Sequence, residues 1–165
     1  MIILGIDPGF ARIGYGVLKK HKGHKLEVLE YGSIVTYPKI PFADRLVQIS
    51  GDIQELIQKY QPDHYAIEDL YYFKNKKTII SVGAARGVLL LMPRQHKVPV
   101  FEYTPLQVKQ AVTGYGKAEK SQVMAMVKSI LNIHSGIKLD DTSDALAVCI
   151  CHASTVNHNK LLRNI

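Results

Sequence analysis

Cysteine is nearly absent from this chain, long apolar runs are missing, and negative charge is scarce. Cys149 and Cys151 are the only thiols. Two residues apart in an apolar, helix-like stretch, they point to different faces, which excludes a disulfide between them or a metal clamp. They read as buried, reduced thiols of a cytoplasmic protein. No stretch approaches the roughly 18 apolar residues needed to cross a bilayer, so no membrane insertion is expected. The amino terminus has no basic segment before its short apolar run and no small-residue cleavage pattern, so that run is expected to be a strand rather than a signal peptide. Internal repeats and low-complexity linkers are also missing. The seven His residues show no metal-ligand spacing and are expected to be scattered over the surface.

What the chain has in excess is positive charge: 21 Lys and Arg against 14 Asp and Glu, a net +7. Such an excess draws phosphate-rich partners by Coulomb attraction and counterion release, although it also serves solubility. At 165 residues, 47% hydrophobic and 21% charged, the chain is globular and of single-domain size. Residues 1–156 are expected to form the domain and 157–165 a polar, frayed tail.

Residues 2–7 are almost wholly apolar, as in a strand buried on both faces. Pro8-Gly9 turns the chain into a second strand, Arg12 to Leu18, and a charged turn leads to a third, Leu26 to Val35. These three form an antiparallel meander. Leu46, Ile49, Ile53, Leu56 and Tyr60 recur at helical intervals within Asp44 to Tyr60. A short strand His64 to Glu68, a helix Thr78 to Met92 and a strand Val98 to Glu102 follow. Thr104-Pro105 opens another helix, with Thr as cap and Pro in the first turn. Helices Lys120 to Leu131 and Asp141 to Ala153 complete the order. The expected fold is α/β, a mixed five-stranded sheet with its first three strands antiparallel and helices on both faces.

Four carboxylates lie at the ends of buried segments: Asp7, Glu68, Asp141 and Asp144. Asp141 and Asp144 share a helix face, roughly 5–6 Å apart at Cβ. Two carboxylates at ~5 Å repel by about 3 kcal/mol at an effective dielectric of 20. The helix dipole offsets ~1 kcal/mol of this. If the first and fourth strands are neighbours, Asp7 and Glu68 join them and the repulsion grows. Mg²⁺, a hard oxygen-seeking ion, resolves the conflict and bridges carboxylates to phosphate. Two such ions about 3.5–4 Å apart can hold both the attacking and the leaving oxygen of a phosphodiester. Each position also has an ordinary reading. Asp141 can cap the helix, a job Asp140 or Thr142 could share; Asp7 can be a turn residue; Glu68-Asp69 can be solvated.

Taken together, the motifs resemble the bacterial RuvC family of Holliday-junction resolvases. The resemblance is carried by Ile3-Leu4-Gly5-Ile6-Asp7-Pro8-Gly9, Gly14-Tyr15-Gly16-Val17, Ala66-Ile67-Glu68 and Gly83-Ala84-Ala85-Arg86-Gly87. It continues in Ala118-Glu119-Lys120-Ser121-Gln122-Val123 and Asp141-Thr142-Ser143-Asp144-Ala145-Leu146-Ala147, so that it covers residues 2–155. It implies a ribonuclease-H-like fold, a homodimer, and Mg²⁺-dependent cutting of four-way junction DNA, with one or two ions per subunit and Mn²⁺ able to substitute. It implies that Asp7, Glu68, Asp141 and Asp144 are the catalytic, metal-binding set, and that the RuvA–RuvB branch-migration complex is a partner.

After Glu68, Tyr71-Tyr72-Phe73-Lys74-Asn75-Lys76-Lys77 interleaves aromatics with cations. Tyr71 matches the family aromatic that meets bases at the junction, and Lys74, Lys76 and Lys77 suit phosphates, although the same residues also suit core packing and a solvated turn. Lys109 and Lys120 match family basic positions near the scissile phosphate, and Lys117 lies in a glycine-bounded loop able to approach DNA. Gly83 and Gly87, one helical turn apart, allow close helix contact either within the subunit or across a dimer. Two other readings stand beside this one. Gly5-Ile6-Asp7-Pro8-Gly9 also resembles the first phosphate loop of sugar kinases and actin-like ATPases, but this chain has neither the length nor the second glycine-rich loop they need. A non-catalytic DNA-structure binder would not require all four acidic positions to be filled.

Overall fold

The computed structural model describes residues 1–69, 79–133 and 142–162. Strands β1 (Ile2–Asp7), β2 (Arg12–Lys20) and β3 (Leu26–Val35) form the expected meander. Helix α1 (Phe42–Tyr60) leads to β4 (His64–Glu68), and α2 (Ile79–Gln95) to β5 (Val100–Tyr103). Helices α3 (Pro105–Thr113), α4 (Lys120–Leu131) and α5 (Thr142–Leu162) follow. The sheet order is β3-β2-β1-β4-β5; β1 pairs antiparallel with β2, and β4 runs parallel to both β1 and β5. This is a ribonuclease-H-like arrangement.

Period-two alternation splits the sheet into two faces. Leu4, Ile6, Tyr65 and Ile67 pack with Ile49 and Ile53 of α1 and Ala85 and Leu89 of α2. Ile3, Ala66 and Tyr103 pack instead with Val108 of α3, Val127 of α4 and Leu146 to Cys151 of α5. Both cores close on β1 and β4, which explains why residues 3, 4 and 6 are fully buried and why β1 reads as an unbroken apolar run. α3 begins as expected: Thr104 Oγ1 accepts from Gln107 N at 3.3 Å while Thr104 N donates to Gln107 Oε1 at 2.8 Å, a reciprocal cap with Pro105 in the first turn.

Helix α5 is buried on all sides through Ala153 apart from Asp144, so it carries no polar stripe and runs through the core. Its two cysteines are free and buried, as expected. Among the described residues no helix is long and apolar enough to cross a membrane.

Two expectations are corrected. The last helix does not stop at Ala153, because α5 continues to Leu162. No Pro or Gly interrupts it, and Ser154 and Thr155 bond back to the carbonyls of Ile150 and Cys151. Nor are the histidines all on the surface. His152 is fully buried, 2.8 Å from His64 Nδ1 through Nε2 and 2.7 Å from the Tyr103 hydroxyl through Nδ1, with its ring against Phe101. Burial drives its pKa down to about 4, so it is a neutral polar link between β4, β5 and α5.

The closeness of α5 to the sheet depends on two missing side chains. A Cβ on Gly5 would lie 2.3 Å from Cys149 Sγ and 2.6 Å from the Ala145 carbonyl oxygen. One on Gly16 would meet Leu146 Cδ2 at 2.8 Å. Backbone cannot rotate away but a leucine can. Gly5→Ala should therefore destabilise the fold by about 3 kcal/mol, lowering the thermal midpoint by roughly 10 °C, and Gly16→Ala by clearly less. Equal losses in thermal melts would refute this account of the packing.

Candidate active site

β1 and β4 are parallel neighbours paired in register up to Ile6 and Ile67, so Asp7 and Glu68 end the two strands side by side. Adjacent strands lie about 4.8 Å apart. Alternation turns both carboxylates to the α5 face, because Asp7 has the parity of Ile3 and Gly5, and Glu68 that of Ala66. Asp144 enters from the first turn of α5. Pro105, Val108 and Lys109 of α3, Lys120 and Val123 of α4, and Asp144 and Ala147 of α5 close a small pocket around Glu68.

The electrostatics follow from this crowding. Burial first, and then the charges of Asp7 and Asp144, push the Glu68 carboxyl up to about 8, while Lys109 and Lys120 pull the other way. Lys120 Nζ sits 3.0 Å from Asp144 Oδ2. Three expected site carboxylates and two expected lysines thus meet at one edge. Asp141 lies outside the described residues, as do Asp140, Tyr71, Lys74, Lys76 and Lys77.

Among the described residues no three acidic, His or Cys side chains stand close enough to form a ready metal cage. The raised Glu68 pKa still marks an accumulation of negative charge at this edge, part of which Lys120 offsets through Asp144. Oxygen donors with this excess of negative charge fit a hard divalent ion.

Lys117 lines a groove of about 1060 Å³ with Tyr103, Leu106, Gln107 and Tyr115. That groove uses another face of α3 and has no carboxylate among its described lining residues, so the smaller pocket around Glu68 is the candidate for chemistry.

Two arginines on the opposite face went unassigned by the motifs. Arg45 of α1, nearly buried, stacks its guanidinium 3.7 Å over the Phe10 ring and donates to Thr36 Oγ1 at 2.9 Å. Thr36 in turn donates to the Phe10 carbonyl at 2.6 Å, which holds the turn that follows Asp7. Arg86 of α2 donates to Asp69 Oδ1 at 2.9 Å and to Glu102 Oε2. The signal for both is a cation on the apolar face of a helix, which is visible only once that face is known.

The metal-free fold carries a pH signature. Folded Glu68 keeps its proton up to about pH 8, whereas an unperturbed Glu loses it near 4.5. Between these values the unfolded state binds fewer protons, so stability falls as pH rises through the window. Thermal melts in chelator should show Glu68→Gln more stable than the parent near pH 8, with the gap closing toward pH 4.5. A gap independent of pH would refute the shift.

Comparison with known proteins identifies the family. The family model described as crossover junction endodeoxyribonuclease RuvC matches residues 3–152. A relative of that name from Ruminiclostridium cellulolyticum is 51% identical over 164 residues, 99% of this chain and 98% of its own length. Another, from Halothermothrix orenii, is 51% identical over 160 residues, 97% of this chain and 96% of its own. The structure of Thermus thermophilus RuvC in complex with Holliday junction substrate superposes with a TM-score of 0.90 at 31% identity, covering 96% of each chain. Fold, carboxylate placement and full-length similarity together make this chain a member of the RuvC family of crossover junction endodeoxyribonucleases.

Proposed function

We propose that this chain resolves four-way DNA junctions by metal-dependent hydrolysis of backbone phosphodiesters, cutting paired strands as a homodimer in the cytoplasm. The observation that carries the reading is Glu68: a carboxyl driven to about 8 by burial and by Asp7 and Asp144, in a pocket rimmed by Lys109 and Lys120. Negative groups hold a cation; positive groups at the rim hold a polyanion. Asp7, Glu68 and Asp144, with Asp141 as the fourth proposed ligand, would hold Mg²⁺, and Mn²⁺ has the same donor preference. When bound, the ion supplies charge neutralisation and activation of water for in-line attack on phosphorus.

The chain's own groups position the substrate. Lys109 and Lys120 lie where a scissile phosphate would approach the carboxylates, and Lys120 can exchange its pairing with Asp144 for one with phosphate. Lys117, Tyr71, Lys74, Lys76 and Lys77 are proposed to contact the arms and the unpaired bases at the exchange point. Attack opposite the 3′ oxygen leaves 5′-phosphate and 3′-hydroxyl ends. Family membership supports joint action with the RuvA–RuvB machinery.

A dimer is supported by the outer face of α2. Ile80 is 80% exposed and Leu91 54%, and between them Gly83 and Gly87 are exposed with open space above. These positions recur at helical intervals, an apolar stripe with small residues at its centre that a second copy can approach closely. A twofold dimer places two sites on a substrate with two equivalent strands.

Asp7→Asn should reduce cleavage of a labelled junction in Mg²⁺ by at least about 10³-fold while leaving junction affinity within a few-fold. A normal rate in that variant would sink the assignment. Leu91→Glu should yield monomers in sedimentation experiments and abolish paired cutting; a dimeric Leu91→Glu protein would remove α2 from the interface.

A further inference from the structure

The residues Glu68 and Asp69 are consecutive, so alternation sends them to opposite faces of the sheet. Glu68 faces α5 and the carboxylate pocket; Asp69 faces α2. Glu102 on β5 has the same outlook as Asp69, because it sits opposite Ile67 in the ladder and between Phe101 and Tyr103, which pack toward α5. Arg86 reaches both from α2, using one terminal nitrogen for Asp69 Oδ1 at 2.9 Å and Glu102 Oε2. Its side chain is 22% exposed, and its buried Nε has no hydrogen-bond partner among the described residues.

We infer that Arg86 is a positioning residue for the nuclease reaction, acting on Glu68 through Asp69. Glu68 is the last residue of β4, where the ladder ends and a strand is free to splay. Two ties extend the ladder by one residue: Asp69 N donates to the Tyr103 carbonyl at 2.7 Å, and the guanidinium joins Asp69 to Glu102. Without the cation, two carboxylates on neighbouring strands repel each other. Any backbone shift of Asp69 that relieves this repulsion carries the adjoining Glu68 backbone with it. The main influences on the Glu68 charge are burial, Asp7, Asp144, Lys109 and Lys120, so the route open to Arg86 is the backbone that joins Asp69 to Glu68. A donor held loosely loses both metal affinity and reaction geometry.

The inference rests on the nuclease reading, and the test separates the two. Full-length parent, Arg86→Gln, Arg86→Lys and Asp69→Asn proteins are compared in three readouts: single-turnover cleavage of a four-way junction in Mg²⁺, junction affinity in Ca²⁺, and Mn²⁺ binding to DNA-free protein by calorimetry. Arg86→Gln and Asp69→Asn should each slow cleavage about 100-fold and weaken Mn²⁺ binding about tenfold. Junction affinity should hold within about threefold, and Arg86→Lys should recover part of both losses. The double variant Arg86→Gln/Asp69→Asn should be no worse than either single change.

Parental cleavage and parental Mn²⁺ affinity in folded variants would overturn the inference. A junction-affinity loss as large as the rate loss would overturn it too, making Arg86 a DNA contact. If Arg86→Gln fails to fold, Asp69→Asn reads the same quantities with the cation still paired to Glu102. A parent protein that binds Mn²⁺ but leaves junctions uncut would sink the nuclease reading, while the Mn²⁺ comparison would still decide the role of Arg86.

Discussion

Helix α5 reaches the carboxylate edge because β1 and β2 leave room beneath it. Gly5 and Gly16 let Cys149 and Leu146 sit against bare backbone, and the Cys149 thiol is 3.3 Å from the Gly16 carbonyl. The same helix carries Asp144 in its first turn. A side chain at Gly5 would lift α5 from the sheet and Asp144 away from Asp7 and Glu68. The site is therefore coupled to a core packing contact, and stability and chemistry share the same atoms.

Crowding of negative charge is the second constraint. It raises the Glu68 pKa and weakens the metal-free fold at neutral pH. Positive residues answer this on two sides. Lys109 and Lys120 face the carboxylates directly. Arg45 and Arg86 work from the far face, holding the turn after Asp7 and the residue after Glu68.

Much of this was legible in the chain. Strand and helix order, the antiparallel meander and the α3 cap follow from local pattern, while the joint role of Asp7, Glu68 and Asp144 was implied by the family resemblance. The misses have a common cause. His152 looked like another dispersed histidine because nothing nearby in sequence announces Tyr103 and His64 as partners. α5 looked shorter because residues after Ala153 lose the apolar pattern, although a helix needs no buried face to continue where nothing breaks it.

The amino-acid sequence by itself determined which segments become strands and helices and which carboxylates lie at their ends, since periodicity, caps and turn residues act over a few neighbours. Only the tertiary structure decided that β4 lies beside β1, that Glu68 and Asp69 serve opposite faces, and that Arg86 spans two strand ends. Those outcomes depend on which distant segments share a face. That choice belongs to packing across the whole sheet, where burial and charge pairing are summed over residues far apart in the chain.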